Sequence, residues 1–375
     1  MTLDLSTELC GIPLRHPLIL ASGPLAWNAA SIRAAYAAGA AAVVTKTIRL
    51  HSSVNPTPHI ATPGPGTLLN TEGWSDLPAR QWIERELPDL AERPGVLIVS
   101  TGHTPSEVAQ LAAPLAQAGA DLLELVSYRA ADAPSMVAAA RRTVSIPLLV
   151  KVSANWLDLP EVVDACLREG ADGITAIDSV GPALRLDLEA RRPLLGSAAW
   201  LSGRAILPLA LRAVAEVALR HGVPVVGTGG VASAEDAVEM MMAGAAVVGV
   251  HTAPLLLGLG WFARTLAHLE RWLERHGVAH LSTLRGAALD ALREPPSHTP
   301  LEFVFRSELC TECGRCVTVC AYGARRLAPG RQMNVDAELC RSCGLCVSVC
   351  SLRALTSSVC QTAVAARSGK PVAPT

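Results

Sequence analysis

The chain has 375 residues, with 32 Lys and Arg against 33 Asp and Glu and a net charge of −1. That balance removes any electrostatic case for nucleic acid or an anionic membrane surface as a partner. The length exceeds one small core. Half the residues are hydrophobic but only 3% are aromatic, so alanine, leucine and valine must fill a large domain accompanied by a smaller one.

The opening MTLDLSTELC lacks a basic segment ahead of an apolar core, so no secretory signal and a cytoplasmic location are expected. Short apolar runs then alternate with amphipathic stretches. Eight strands are predicted: Leu18–Ser22, Ala42–Lys46, Val96–Ser100, Asp121–Leu125, Pro147–Val152, Gly173–Ile177, Pro224–Thr228 and Ala246–Val250. Helical patterns such as TPSEVAQLAAPLAQAGA and ALRAVAEVALRHG lie between them, several ending at a glycine. Eight such units predict a (β/α)8 TIM barrel over residues 1–293. The long segment from His51 to Asp76 is rich in Pro, Asn, Thr and Gly and reads as a functional loop.

From Met240 to Ala263 the only ionisable residue is His251, but glycines and a proline interrupt the run. It reads as a helix end, a buried strand, a loop and a helix start, not a membrane span. GLGWFA at 258–263 matches a dinucleotide-binding pattern without its strand context and also reads as a helix start. Residues 294–300 (EPPSHTP) form the expected linker, and 357–375 an expected flexible tail.

Polar or glycine clusters close nearly every predicted strand, where barrel enzymes carry their chemistry: ASG at 21–23, KT at 46–47, STGH at 100–103, SYR at 127–129, KVSAN at 151–155, DS at 178–179, GTGG at 227–230 and HT at 251–252. Gly229 and Gly230 after strand seven, with His251 and Thr252 after strand eight, predict a phosphate cradle built on backbone N–H groups, and so a phosphorylated cofactor.

Residues 301–356 carry eight of the eleven cysteines in one pattern written twice, ELC-x-x-C-G-x-C-V-x-V-C, thirty residues apart. Zinc sites use pairs of C-x2-C knuckles instead. The spacing is that of bacterial ferredoxins with two [4Fe–4S] clusters, in which each run's fourth cysteine serves the other run's cluster. On that pattern Cys310, Cys313, Cys316 and Cys350 hold one cluster, and Cys340, Cys343, Cys346 and Cys320 the other. Ala321 and Ser351 replace the proline that usually follows the fourth cysteine. Of the remaining three, Cys10 and Cys166 read as small core residues, and Cys360 has no assigned role.

Taken together, LSTELCGIPLRHPLILASGP, GAAAVVTKTI, LLNTEGW, GADLLEL, IPLLVKVSANWLD, GADGITAIDS, LSGRAILPLALRAV and PVVGTGGVASAEDA resemble the flavin-dependent dihydroorotate dehydrogenase superfamily. Within it the chain is most similar to the part of dihydropyrimidine dehydrogenase that joins an FMN barrel to a two-cluster ferredoxin module. The resemblance implies that Ala21, Ser22 and Gly23 lie against the flavin edge, that Lys46 and Thr47 hydrogen-bond its ring, and that Lys151 places an ammonium near N1 and the C2 carbonyl. It implies that Ser202, Gly203, Gly229, Gly230 and Thr252 hold the ribityl phosphate, and that Asn70 reaches the substrate. Activity on a CH–CH or C=C bond of a dihydropyrimidine or dihydroorotate-like substrate is expected, in a homodimer or hetero-oligomer.

Departures from the family pattern concentrate around the substrate. Val126 stands where the family has an asparagine, no cysteine lies between Cys10 and Cys166, and only 26 residues separate Leu125 from Val152, so the loop carrying the acid/base is cut away. Asp178 replaces another asparagine, Ala199 and Trp200 a glycine pair, and His251 a small residue beside the phosphate. Tyr128, His103 and Asp178 are the candidates for the proton role, with Tyr128 or His103 expected to take it, and Arg129 is the candidate for a substrate carboxylate. No second nucleotide-binding domain is legible, and the resemblance implies a separate FAD-containing, NAD(P)H-oxidising subunit or a free ferredoxin as electron donor. Two further readings stay open: an FMN enzyme of another activated alkene or acceptor, and an electron-transfer protein with an inactive barrel.

Overall fold

The computed structural model describes residues 3–296 and 298–357. Apart from Ser357, the expected tail lies outside the described residues, as does Cys360. The chain divides into two compact units, Met1–Glu294 and Pro295–Thr375.

In the first unit eight parallel strands close into a barrel. They are β1 (Leu18–Leu20), β2 (Ala42–Val44), β3 (Val96–Gly102), β4 (Leu122–Val126), β5 (Leu148–Val152), β6 (Gly173–Ala176), β7 (Val225–Thr228) and β8 (Val247–Val250). Each follows its predecessor around the ring, and β8 pairs with β1 through Val248↔Leu18 and Gly249↔Ile19. All eight predicted strands are therefore present. Because side chains alternate along a strand, the apolar runs serve two cores at once. Ile19, Ile98, Leu122, Leu149, Val226 and Val247 point inward and pack with Leu9 and Leu14 of the N-terminal hairpin. Their neighbours Leu18, Leu97, Leu123, Leu148, Val225 and Val248 face the helices. Fully burying each such side chain contributes roughly 1.5–3 kcal/mol.

Local signals set the helix limits. Asn28 caps the helix Ala29–Ala37 by accepting from Ser31 N at 2.9 Å. Thr104 and Ser233 cap Pro105–Gln117 and Ala234–Met242 in the same way. Gly222 at φ 64° ends Leu207–His221. The Met240–Ala263 run resolves into a helix end, β8, the short helix Thr252–Leu257 and the start of Trp261–Arg275. No helix among the described residues is long and apolar enough to cross a membrane.

One expectation needs correction. The segment 51–76 is not all loop: Ile60–Gly64 and Thr67–Asn70 form a hairpin. It pairs with Ala199–Gly203, which pairs with Val180–Ala183, giving a four-stranded antiparallel sheet. Proline and glycine at the hairpin turn hid the strands. The register sets Asn70 opposite Trp200 and Leu68 opposite Ser202.

In the second unit, Gly314 (φ 70°) and Gly344 (φ 76°) turn each cysteine loop into a short helix, Arg315–Thr318 and Leu345–Ser348. Two antiparallel pairs, Phe303–Phe305 with Leu355–Ser357 and Arg325–Ala328 with Gln332–Val335, complete it.

Candidate active site and cysteine centres

A cavity with about 1070 Å³ of empty space, open solvent included, lies where the barrel strands end. Ala21, Ser22, Gly23, Lys46, Thr47, Asn70, Tyr128, Lys151, Asp178, Ser202, Gly203, Gly229, Gly230 and Thr252 all line it. Two of the singled-out residues do not. His103 packs behind the wall, its ring 5.2 Å from Trp74 and 5.4 Å from Tyr128. Arg129 is largely exposed and pairs with Asp132 at 3.5 Å, so its placement does not suit a group receiving a substrate carboxylate.

The cavity floor follows from strand alternation. Two residues beyond inward-facing Leu122 and Leu149 stand Glu124 and Lys151, so both also point into the barrel. Ser100 and Thr228 occupy the equivalent layer of their strands, and Val126 pairs in register with Lys151. Lys151 Nζ lies 3.4 Å from Asp178 Oδ1. Burial alone would push this ammonium down, but Asp178 and Glu124 outweigh it and hold its pKa above the ordinary lysine value. Burial raises the pKa of Glu124, which is 1% exposed. Glu124 was missed in the sequence because it sits inside an apolar run; the period-two alternation of LLELV was the available signal.

Lys46 is held differently. Its Nζ sits 3.0 Å from Glu72 Oε1 and 2.7 Å from Asp76 Oδ2, two carboxylates that sequence reasoning did not single out. The Thr47 hydroxyl bonds that of Ser100 at 2.9 Å.

On the opposite side the backbone makes a concave anion seat. Gly229 and Gly230 have φ of 116° and 87°, and the Ser202 and Thr252 hydroxyls bond each other at 2.9 Å. A Cβ on Gly230 would stand 2.6 Å from Leu207 N. His251 donates from Nδ1 to Ala21 O at 2.8 Å, which leaves Nε2 bare, and Nε2 has no protein partner. Burial pushes this imidazole down to about 4, so it is neutral. Its ring leaves no room for a side chain at Gly23, where a Cβ would come within 2.5 Å of Nε2.

The wall beside Asn70 is aromatic. Trp200 and Tyr128 stack at 4.9 Å and 12°, and Tyr128 lies 4.9 Å from Trp74. Burial, helped by Asp178, holds the Tyr128 phenol above its ordinary pKa, so it stays protonated. Trp74 was visible only as part of a motif and Trp200 only as a departure from a glycine pair; no local pattern placed them together.

In the second unit Cys310, Cys313, Cys316 and Cys350 line one cavity of about 420 Å³. Cys320, Cys340, Cys343 and Cys346 line another of about 320 Å³. These are the two sets that the exchanged fourth cysteine implies. Among the described residues, no three His, Cys, Asp or Glu side chains are drawn together as ligands of a single metal ion. Cys10 and Cys166 lie elsewhere, and burial raises both thiols to about 12, which makes them inert.

Residues 4–273 match the family model for dihydroorotate dehydrogenase. The chain belongs to this family. Residues 301–354 separately match the 4Fe-4S dicluster domain. Among its relatives are proteins called "Dihydroorotate dehydrogenase B (NAD(+)), catalytic subunit". The protein from Pelobacter propionicus is 35% identical over 302 residues, covering 76% of this chain and 98% of its own. Those from Methanothermobacter thermautotrophicus and Pyrococcus abyssi are 34% and 32% identical, each covering 76% of this chain and 99% of their own.

Membership of the dihydroorotate dehydrogenase family implies FMN, and the residues present fit that group. The glycine seat with its two hydroxyls suits a phosphate, the open cavity suits a flat ring, and the Lys151 ammonium suits a carbonyl edge that gains negative charge. The paired four-thiol cavities likewise suit [4Fe–4S] groups.

Proposed function

We propose that this chain is an FMN-dependent oxidoreductase that adds or removes hydrogen across a carbon–carbon bond of a ring substrate, working with two [4Fe–4S] clusters in its C-terminal unit. When bound, FMN supplies hydride exchange and each cluster supplies one-electron transfer. The observation that carries the reading is the meeting of a phosphate seat and a buried, paired lysine in one cavity at the strand ends.

Each cavity residue then has a role. Ser202, Gly203, Gly229, Gly230 and Thr252 hold the phosphate, while Ala21, Ser22 and Gly23 form the wall along the ring edge. Thr47 and Lys46 border the ring, and Lys151 sets positive charge against its carbonyl. Asn70 orients the substrate. Of the three proton candidates His103 lies outside the cavity, and of the two that line it Asp178 is the one assigned, because Lys151 positions it. Tyr128 serves as a stacking wall, and His103 supports it from behind.

A dihydropyrimidine or dihydroorotate-like ring is the family default for the substrate. A different activated alkene is favoured by one observation: Val126, not an amide, stands beside Lys151 and lines the cavity together with the stacked Tyr128 and Trp200. The relatives are called catalytic subunits of an NAD(+) enzyme. We assign this chain a separate FAD-containing, NAD(P)H-oxidising subunit or a free ferredoxin as electron partner.

Anaerobic purification with FMN, iron and sulfide analysis tests the reading. One FMN and about eight irons per chain are expected. About eight irons without flavin would leave an electron carrier on an inactive barrel.

A further inference from the structure

The positive charges of the cavity are already satisfied by the protein. Lys46 is held between Glu72 and Asp76 at 3.0 and 2.7 Å, and Lys151 lies 3.4 Å from Asp178. Arg49, whose guanidinium stands 5.9 Å from the Trp74 ring, is bidentate on Glu107. A carboxylate entering here must give up its hydration and compete with Glu72 and Asp76 for Lys46. A flat neutral ring meets no such cost: Tyr128 and Trp200 offer it an aromatic surface, and the Asn70 amide a donor and an acceptor. We propose that the substrate is an uncharged, flat, conjugated ring, and that Glu72 and Asp76 are specificity-determining residues that exclude carboxylate-bearing rings. This rests on the reading that the same cavity holds FMN and substrate.

Matched pairs that differ only in charge test it, on the full-length protein after its FMN content has been measured. Orotate against orotamide, and benzoate against benzamide, are titrated at neutral pH while the flavin absorbance is followed. Each amide is expected to bind about tenfold tighter than its acid or better, as a desolvated charge without a free partner requires. The double variant Glu72→Gln/Asp76→Asn is expected to close or reverse that gap. An acid that binds the unmodified protein as tightly as its amide overturns the proposal. So does failure of both amides to bind, because the aromatic wall would then hold no flat ring. Protein lacking flavin sinks the functional reading instead, and calorimetric titration of the same pairs still reads the charge preference.

An independent observation concerns the second unit. Five residues after their fourth cysteines, the two runs carry Arg325 and Leu355. Both are buried, at 3% and 2% exposure. The Arg325 Nη1 and Nη2 atoms are buried without a hydrogen-bond partner, and its Cζ lies 4.3 Å over the Phe303 ring. The side chain lines the cavity of Cys320, Cys340, Cys343 and Cys346. A buried guanidinium without a carboxylate is costly unless an anion faces it, and a cluster bound by four thiolates is such an anion. We infer that Arg325 raises the reduction potential of this cluster above that of its neighbour, making the pair unequal. Arg325→Leu installs the residue that the second run already tolerates. A spectroscopically monitored redox titration is expected to show the potential of this cluster falling by more than that of the other, whose Cys316 also feels the Arg325 charge, with Arg325→Lys nearer the unmodified protein. Unchanged potentials at full iron content overturn the inference. Loss of iron in Arg325→Leu alone supports a need for the charge, whereas loss in both variants overturns it.

Discussion

Lys151 Nζ lies 3.4 Å from Asp178 Oδ1, joining the last inward position of β5 to the tip of β6. The lysine side chain is only 10% exposed, and Glu124 occupies the same buried layer. Lys151→Met would leave carboxylates without their cation. A loss of about 3 kcal/mol in unfolding free energy is expected, together with lower FMN occupancy. Denaturant titration and flavin content check both, and full stability would show that the pair is not a structural element of the barrel floor.

Gly230 must remain glycine for two separate reasons. Its φ is 87°, and a Cβ would meet the backbone of Leu207 at 2.6 Å. Gly230→Ala is expected to cost about 1–3 kcal/mol and to abolish retention of FMN. Gly196→Ala is the control: φ is 76° but no atom lies within 4 Å, so only the conformational cost of about 1 kcal/mol applies, with no loss of flavin.

The two thiol cavities make a pairwise prediction. Cys350 lines the cavity of Cys313 despite its distance in sequence, and Cys320 that of Cys343. Cys350→Ser and Cys313→Ser should therefore leave the same residual cluster spectrum, with about four irons each. Cys320→Ser and Cys343→Ser should share a different one. If Cys350→Ser instead resembled Cys343→Ser, each run would hold its own cluster.

Acid should loosen the barrel unit. Burial lowers both His16 and His251 from 6.5 to about 4. Between those values the unfolded chain binds protons that the folded chain refuses, so stability is fully present above about 6.5 and falls as the pH drops toward about 4. For His16, which is 5% exposed, the loss amounts to about 3 kcal/mol. Thermal melts across that window should show the decline, and His16→Gln should flatten it. An unaltered slope would mean that other groups carry the acid sensitivity.

The barrel was legible because its determinants are local. Apolar runs of β-branched and leucine residues, capped helices and polar strand tips each announce themselves within a few residues, so the eight strands and the polar strand tips could be named from the chain alone, while Asn70, Ser202 and Gly203 came from the family resemblance. The hairpin within 51–76 was not legible, since its partner Ala199–Gly203 lies far along the chain and Pro and Gly mark its turn. His103 and Arg129 sit at strand tips like the others. Only packing shows that one lies behind Trp74 and the other faces solvent.

The sequence by itself determined the barrel and the doubled cysteine run, because spacing along one chain is enough to specify a strand period, a helix cap or a three-thiol loop, and its motifs carried the resemblance to the family. Tertiary structure alone decided which charges meet. Lys46 is joined to Glu72 and Asp76 across 26 and 30 residues, and Trp200 stacks on Tyr128 from another excursion of the chain. Ion pairing and ring stacking act at 3–5 Å in space whatever the separation in sequence, so no local pattern could announce them.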